Sequence, residues 1–352
     1  MTGPVSVLRV GLVGYGLAGR VFHAPLITAT AGLELVSVVT ADPRRRGQAG
    51  AELPGVALLA SPEELWARAS DHDLVVVASP SGTHAPLAGA AVDAGLAVVV
   101  EKPLAPRVDV ARALIERAEA AQVMLSVFHN RRWDSDYLTL RRLVAEGVLG
   151  DVVRYESRFE RWRPQRAPGA WREELSGDDG GGVLLDLGVH LVDQARTLLG
   201  PVTHVYAEVA ARRGGSDDDV FLALQHRSGA HAHLWASAVA AAPGPRMRVL
   251  GSAAGFVVGH LDGQEDALRA GHRPDEPGFG EEPPDRWGCL VHGDEKQPVP
   301  SERGRWCTFY EDMERALRLG GPPPVDPTDA LRTLEVLEAA RRSSARSTVI
   351  AL

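Results

Sequence analysis

"LRVGLVGYGLAG", residues 8–19, is an apolar run that breaks into three glycines, Gly14, Gly16 and Gly19, in G-x-G-x-x-G spacing. Such a loop needs glycine for a tight turn, for close approach of backbone N–H groups to a pyrophosphate, and for packing of the next helix on the strand. The following helix offers the positive end of its dipole to the phosphates. In a chain with 37 glycines the spacing alone says little, because a plain strand-to-helix turn reads the same way. The setting decides. Here the motif follows a strand, opens a helix and begins an alternating pattern, so it predicts a dinucleotide site on Gly14, Gly16, Leu17, Ala18 and Gly19.

Outward from that loop, the runs 8–14, 33–39, 73–79, 96–101 and 123–128 are Val-rich and continuous rather than alternating, as parallel strands covered on both faces read. Between them lie helical segments. Ser61, Pro62 and Glu64 have the form of a capping box with proline at the first helical position, and 83–95 and 108–122 are Ala-rich with apolar residues every three or four positions. Strands alternating with helices predict a doubly wound α/β sheet of Rossmann type, with the ligand crevice at the carboxyl ends of the strands.

A chain of 352 residues predicts about two domains. We place a dinucleotide-binding domain at 1–128 and a substrate-binding and oligomerisation domain of α+β type at 129–352, with the last helix expected to return to the first domain. The net charge of −8 and the absence of a basic cluster interleaved with aromatics argue against a nucleic-acid or anionic-membrane partner. Cys289 and Cys307 lack metal-ligand spacing and do not make a disulfide framework, so no metal is expected and a cytoplasmic location fits. No run approaches the ~20 apolar residues of a membrane helix.

The second strand ends in "VVTADPRRR", with Thr40 and Ala41 where an NAD site usually places an acid for the ribose diol. Asp42 comes late and precedes Pro43, which suits a helix N-cap. A hydroxyl at Thr40 with Arg44 and Arg45 nearby suits a 2′-phosphate, so NADP is the preferred cofactor and NAD the alternative. The arginines read equally as a solvated helix face.

Beyond residue 128 the pattern changes. "FHNRRWDSDYLTLRRLVAEGVLG" predicts a crossover into a helix ending at Gly147 or Gly150, and alternating runs at 151–162, 202–211, 220–239 and 246–259 predict antiparallel strands. Residues 261–304, rich in Gly, Pro and charge, read as loop or edge structure. Helices are expected at 183–199, 307–319 and 327–342. The first of these carries Asp186 and His190 four apart, a spacing that puts carboxylate and imidazole on one face. A lone helical histidine is more often a satisfied core residue, and Asp193 could pair with it.

Lysine occurs only at 102 and 296, leaving 36 of the 38 cations as arginine. In "AVVVEKPLAP" (97–106) the ammonium of Lys102 stands at a strand end between Glu101 and Pro103. Lysine there is informative, because a lysine can titrate when buried and arginine effectively cannot. The bland alternative is a structural pair with Glu101.

In order and spacing, "VGLVGYGLAG", "ASPSGTH", "VVVEKPLA" and "GGGVLLDLGVHLVDQ" resemble the Gfo/Idh/MocA family of oxidoreductases over essentially the whole chain. "GYGLAGRVFHAPLI" is similar to a bacterial subgroup that includes NADP-dependent scyllo-inositol dehydrogenases. The resemblance implies a large, open, mostly antiparallel sheet in the second domain, whose exposed face makes homodimers or homotetramers. It implies hydride transfer between nicotinamide and a secondary hydroxyl of a polyol or sugar, with Lys102, Asp186 and His190 in the catalytic positions. His190 is then the general acid/base, Lys102 the donor to the substrate oxygen, and Asp186 the orienting partner. Ser79, Pro80, His84, Glu101, Lys102 and Asn130 are expected along the cofactor, and Arg163, Trp171 and Arg172 beside the substrate with Asp186 and His190. Two alternatives use the same scaffold: a glycosidase that oxidises its substrate transiently, and a sugar-sensing regulator that has no need of Lys102 and His190.

Overall fold

The Val-rich runs form one parallel sheet of six strands, in the order β3-β2-β1-β4-β5-β6. Its strands are β1 (Leu8–Val13), β2 (Leu33–Val39), β3 (Ala57–Leu59), β4 (Leu74–Val77), β5 (Ala97–Glu101) and β6 (Leu125–Phe128). The computed structural model describes residues 6–166, 169 and 171–352, with Trp171 described in its backbone alone. Every residue of β4 and β5 is buried, which is why these strands show no alternation. The strand order reverses between β1 and β4, so their carboxyl ends diverge into a crevice.

From β6 the chain passes through a tight turn at Asn130–Trp133 and the helix Ser135–Ala145 into the second sheet. Its nine strands run in the order β14-β13-β12-β11-β7-β10-β9-β8-β15. They are β7 (Val152–Glu160), β8 (Val202–Ala210), β9 (Asp219–His226), β10 (His231–Ser237), β11 (Met247–Gly251), β12 (Gly255–Val258), β13 (Gly288–His292), β14 (Glu295–Val299) and β15 (Ile350–Ala351). The pairings are antiparallel except that of β7 with β10. One face, with Val205, Leu222, Leu224 and Leu234, packs under the helices Val189–Leu199 and Pro327–Arg346. The last helix also reaches the first domain, where Arg112 pairs with Glu335 at 2.8 Å.

Several local expectations change. The segment 261–304, read as loop or edge structure, does supply the sheet edge in the β13–β14 hairpin, and it adds a helix, Gln264–Arg269, that the reading lacked. That hairpin lies at the sheet edge with Glu295, Lys296, Gln297 and Pro298 exposed, the polar composition that keeps an edge strand from pairing further. Ser61 makes no cap bond to the backbone, because its hydroxyl turns to the Glu63 carboxylate. Asp42 does cap, its Oδ1 accepting from the amides of Arg44 (2.9 Å) and Arg45 (3.2 Å).

Candidate active site

The three glycines of the first loop divide the roles that the spacing predicts. Gly14 sits at φ +103°, and a Cβ there would lie 2.7 Å from the Ala78 carbonyl oxygen, so the turn excludes any other residue. A Cβ on Gly19 would meet the Gly14 oxygen, which fixes how closely the following helical segment packs. Over Gly16 the nearest neighbour is a guanidinium nitrogen of Arg45 at 3.8 Å, leaving open space above the backbone.

That space belongs to a cleft of about 650 Å³ at the carboxyl ends of β1, β2, β4 and β5. Val39, Thr40, Asp42 and Arg45 line one end, Gly14, Gly16, Leu17 and Ala18 the floor, and Ser79, Pro80 and His84 the far wall. Lys102, Arg172 and Asp186 close the other end. The donor set fits a dinucleotide: open backbone at Gly16 for a diphosphate, and no acid in the ribose position except Asp42, whose carboxylate is occupied in capping. Arg44 is exposed and does not line the cleft, and Asn130 is buried away from it. Tyr15 lines it without any motif to announce it; its hydroxyl donates to Glu52 at 2.9 Å.

His84 holds the far wall rather than pointing at a ligand. Its ring nitrogens lie 2.8 Å from the Pro103 carbonyl and 2.9 Å from the Ser79 carbonyl, tying the β4 loop to the loop after β5. Ser81 reaches across to the second domain and donates to the Gly180 carbonyl at 3.1 Å.

Lys102 stands where β5 ends. Its backbone N–H donates to Glu101 Oε2 at 3.0 Å, and Glu101 Oε1 lies 3.1 Å from His23 Nε2. His23 Nδ1 in turn is 2.5 Å from the Tyr310 hydroxyl. Burial works to raise the Glu101 pKa, but the His23 hydrogen bond and nearby positive charge hold it below the usual value. Glu101 is therefore an ionised, buried anchor for the lysine backbone, while the lysine side chain turns to the other domain. Its Nζ donates to the Asp186 carbonyl at 2.7 Å and to Asp186 Oδ1 at 3.0 Å. Arg172 Nε lies 3.2 Å from the same carboxylate oxygen. Burial acts to raise the Asp186 pKa, and Lys102, Arg172 and Arg161 outweigh it, holding the carboxyl well below its ordinary range.

Asp186 and His190 do not form the stacked pair that a four-residue helical spacing predicts. Residues Leu184–Gly188 wind as a wide turn with i→i+5 bonding before the regular helix Val189–Leu199 begins, so each residue rotates less than in an α-helix. Asp186 faces Lys102, and His190 faces inward, its ring centroid 6.5 Å from His129 and 6.2 Å from Phe159. His190 retains 5% exposure and its Nδ1 is buried without a hydrogen-bond partner. Burial first, then Lys102, Arg131, His129 and Arg246, push its pKa well below 6.5, so the imidazole is neutral. Asp193 serves Arg132 instead, at 2.7 and 2.8 Å.

A second cavity of about 230 Å³ adjoins the cleft and shares Arg172 and Asp186 with it. Arg161, Arg163 and Arg213 line it. Arg161 carries no motif; its alternation with Arg163 in "RWR" is the one sign in the sequence that both face the same side. The side chain of Trp171 lies outside the described residues. Among the described residues no cluster of metal-ligating side chains occurs, and no helix is long and apolar enough to cross a membrane.

Two family models match the chain: an oxidoreductase family with an NAD-binding Rossmann fold over residues 8–129, and the GFO/IDH/MocA C-terminal domain over residues 137–257. An uncharacterized oxidoreductase of Escherichia coli, YdgJ, is 38% identical, covering 98% of this chain and 99% of its own. The Bacillus subtilis scyllo-inositol 2-dehydrogenase (NADP(+)) IolW is 33% identical, covering 99% and 97%. The solved structure of yvaA from Bacillus subtilis superposes with a TM-score of 0.93 over all of both chains at 33% identity.

Proposed function

The chain belongs to the Gfo/Idh/MocA oxidoreductase family, and from that premise we propose that it moves a hydride between a nicotinamide dinucleotide and a secondary hydroxyl, or the matching ketone, of a cyclitol or sugar. The observation that carries this reading is the placement of Lys102, paired with Asp186, on the wall of the same cleft that the glycine loop floors.

The bound nicotinamide supplies the hydride acceptor or donor. The chain's own residues supply the rest. Of the three N–H bonds of the Lys102 ammonium, two are taken by Asp186, which leaves one for the substrate oxygen. That donor polarises a ketone, or binds the alcohol oxygen as its proton leaves. His190, kept neutral by burial and neighbouring cations, is in the form that accepts the hydroxyl proton on oxidation and returns it to the oxygen on reduction. Asp186 orients the ammonium, and Glu101 holds it from behind.

NADP is the preferred cofactor. Arg45 over the open backbone of Gly16, the capping role of Asp42 and the NADP named for the 33%-identical relative support that choice. The net charge of −8 supports a small-molecule substrate rather than nucleic acid or membrane, and two cysteines without a disulfide framework support a cytoplasmic protein. A homodimer or homotetramer is expected through the uncovered face of the nine-stranded sheet. The reading is tested with inositols, aldoses and their keto forms, with NADP and NAD separately, followed at the nicotinamide absorbance band. No absorbance change across the panel sinks it, and release of sugar from an aryl glycoside without net nicotinamide change replaces it with the glycosidase.

A further inference from the structure

The second cavity is lined by five arginines, Arg161, Arg163, Arg166, Arg172 and Arg213, against three carboxylates, Glu173, Asp186 and Asp217. Beyond β7 the chain continues extended: Arg161 N donates to the Ser237 carbonyl at 2.8 Å and Arg163 N to the Ala238 carbonyl at 2.7 Å. Trp162 bridges to Val239 between them. Alternation along an extended segment sends Arg161 and Arg163 to one side and Trp162 to the other. That side is the wall of the 230 Å³ cavity, and Trp162 is 57% exposed on the opposite side.

The arginines of this wall differ in how they are satisfied. Arg213 is engaged, donating to Asp218 Oδ2 and to the carbonyls of Arg163 and Gln165. Arg172 is paired with Asp186. Among the described residues, the guanidinium groups of Arg161 and Arg163 have no hydrogen-bond or ion-pair partner. Burial first, then Arg163 and Arg131, push the Arg161 pKa down, while Glu265 and Asp186 oppose this without forming an ion pair with it. Arg161 is half-buried and Arg163 exposed, so both guanidinium groups are open to an oxyanion entering the cavity.

We propose that the substrate of this site is an anion, a sugar or cyclitol derivative bearing a carboxylate or phosphate group, and that Arg161 and Arg163 bind that group while the reacting carbon lies beside Lys102. The inference rests on the hydride-transfer reading of the adjoining cleft and narrows its substrate class. A planar guanidinium fork recognises either oxyanion with paired hydrogen bonds.

The test uses the full chain saturated with NADP, titrated calorimetrically with matched sets: neutral hexoses and inositols, the corresponding uronates and aldonates, and the corresponding monophosphates. The expected result is that one anionic member binds about tenfold or more tightly than its neutral parent. That margin should vanish in the double variant Arg161→Gln, Arg163→Gln, with NADP affinity unchanged. Whether a carboxylate or a phosphate carries the margin identifies the source of the charge. Neutral parents that bind as well as every anion, no anion binding at all, or a margin that survives in the double variant each overturn the proposal. Loss of NADP binding by the wild type would instead overturn the dinucleotide reading itself.

Discussion

The ammonium of Lys102 and the carboxylate of Asp186 meet at 3.0 Å across the boundary between the two sheets, and a second bond of 2.7 Å runs from the same nitrogen to the Asp186 main-chain carbonyl. A compact, three-donor group satisfies both acceptors and keeps one bond free for the substrate; a guanidinium has more donors, but its longer, planar fork cannot put a free N–H at the same point. Lys102→Arg preserves charge, so it should leave NADP affinity nearly unchanged while lowering kcat by ~10² or more. Single-turnover absorbance in wild type and variant checks this, and near-normal turnover removes Lys102 from the chemistry.

Arg44 and Arg45 are adjacent in sequence and differ in place: Arg45 lines the cleft above Gly16, and Arg44 is exposed outside it. A charge-assisted contact to a 2′-phosphate is present for NADP alone, so Arg45→Ala should weaken NADP by about tenfold or more and NAD little. Arg44→Ala should change neither. Fluorescence titration with both dinucleotides measures this; equal weakening of the two, or a wild type that prefers NAD, assigns the site to a ribose diol.

Much of this architecture is legible in the sequence because its signals are local. The buried strands β4 and β5 read as continuous valine runs, and the glycine loop names its own backbone demands. What escapes is set by contacts distant in sequence or by local winding. The parallel pairing of β7 with β10 joins residues such as Arg158 and Trp235, and no periodicity reports it. β3 has three residues, too few to show a pattern. The wide turn at Leu184–Gly188 redirects Asp186 away from His190, although the four-residue spacing in the sequence is unaltered. Glu101 illustrates the opposite case: its neighbour Lys102 is visible in the motif, while His23 and Tyr310, which complete its shell, lie far away in the chain.

His129 makes acid stability measurable. It is 1% exposed, 3.8 Å from Asp193, and its pKa is lowered to about 4, by burial first, with Arg132 and Lys102 adding and Asp193 opposing. Because the folded value is depressed, the unfolded chain takes the proton more readily, so stability that is full above ~6.5 is lost as pH falls toward 4. The shift corresponds to about 3 kcal/mol. Asp262, pushed up to about 6 by burial, works in the opposite sense, so the informative quantity is the difference between two proteins. Urea unfolding of wild type and His129→Asn at pH 7 and pH 4.5 should show the gap between them narrowing, or reversing, by a few kcal/mol on acidification. Parallel pH profiles would mean that His129 is not held neutral.

The face of the nine-stranded sheet that no helix among the described residues covers carries the last prediction. Val220, Leu222, Leu224 and Leu234 point inward and are buried, so on these two strands the large apolar residues at the other parity are Phe221 and Trp235. Strand register sets Trp235 across from Phe221 on one side and from Arg158 on the other. The two aromatic centroids are 5.2 Å apart, and the Arg158 guanidinium lies 3.9 Å over the indole ring. Around them Glu156 pairs with Arg158 and Arg248, so the face sets aromatic and arginine side chains, the types enriched at interfaces, among internally balanced charge. A two-fold axis through this patch would stack aromatic on aromatic and repeat each charge pair. We therefore expect light scattering at micromolar concentration to give at least twice the 37.6 kDa of one chain, and Trp235→Glu to shift the mass toward one chain while leaving the far-ultraviolet circular dichroism intact. A single-chain mass that does not change on tenfold concentration of the wild type means that this face is not where copies meet.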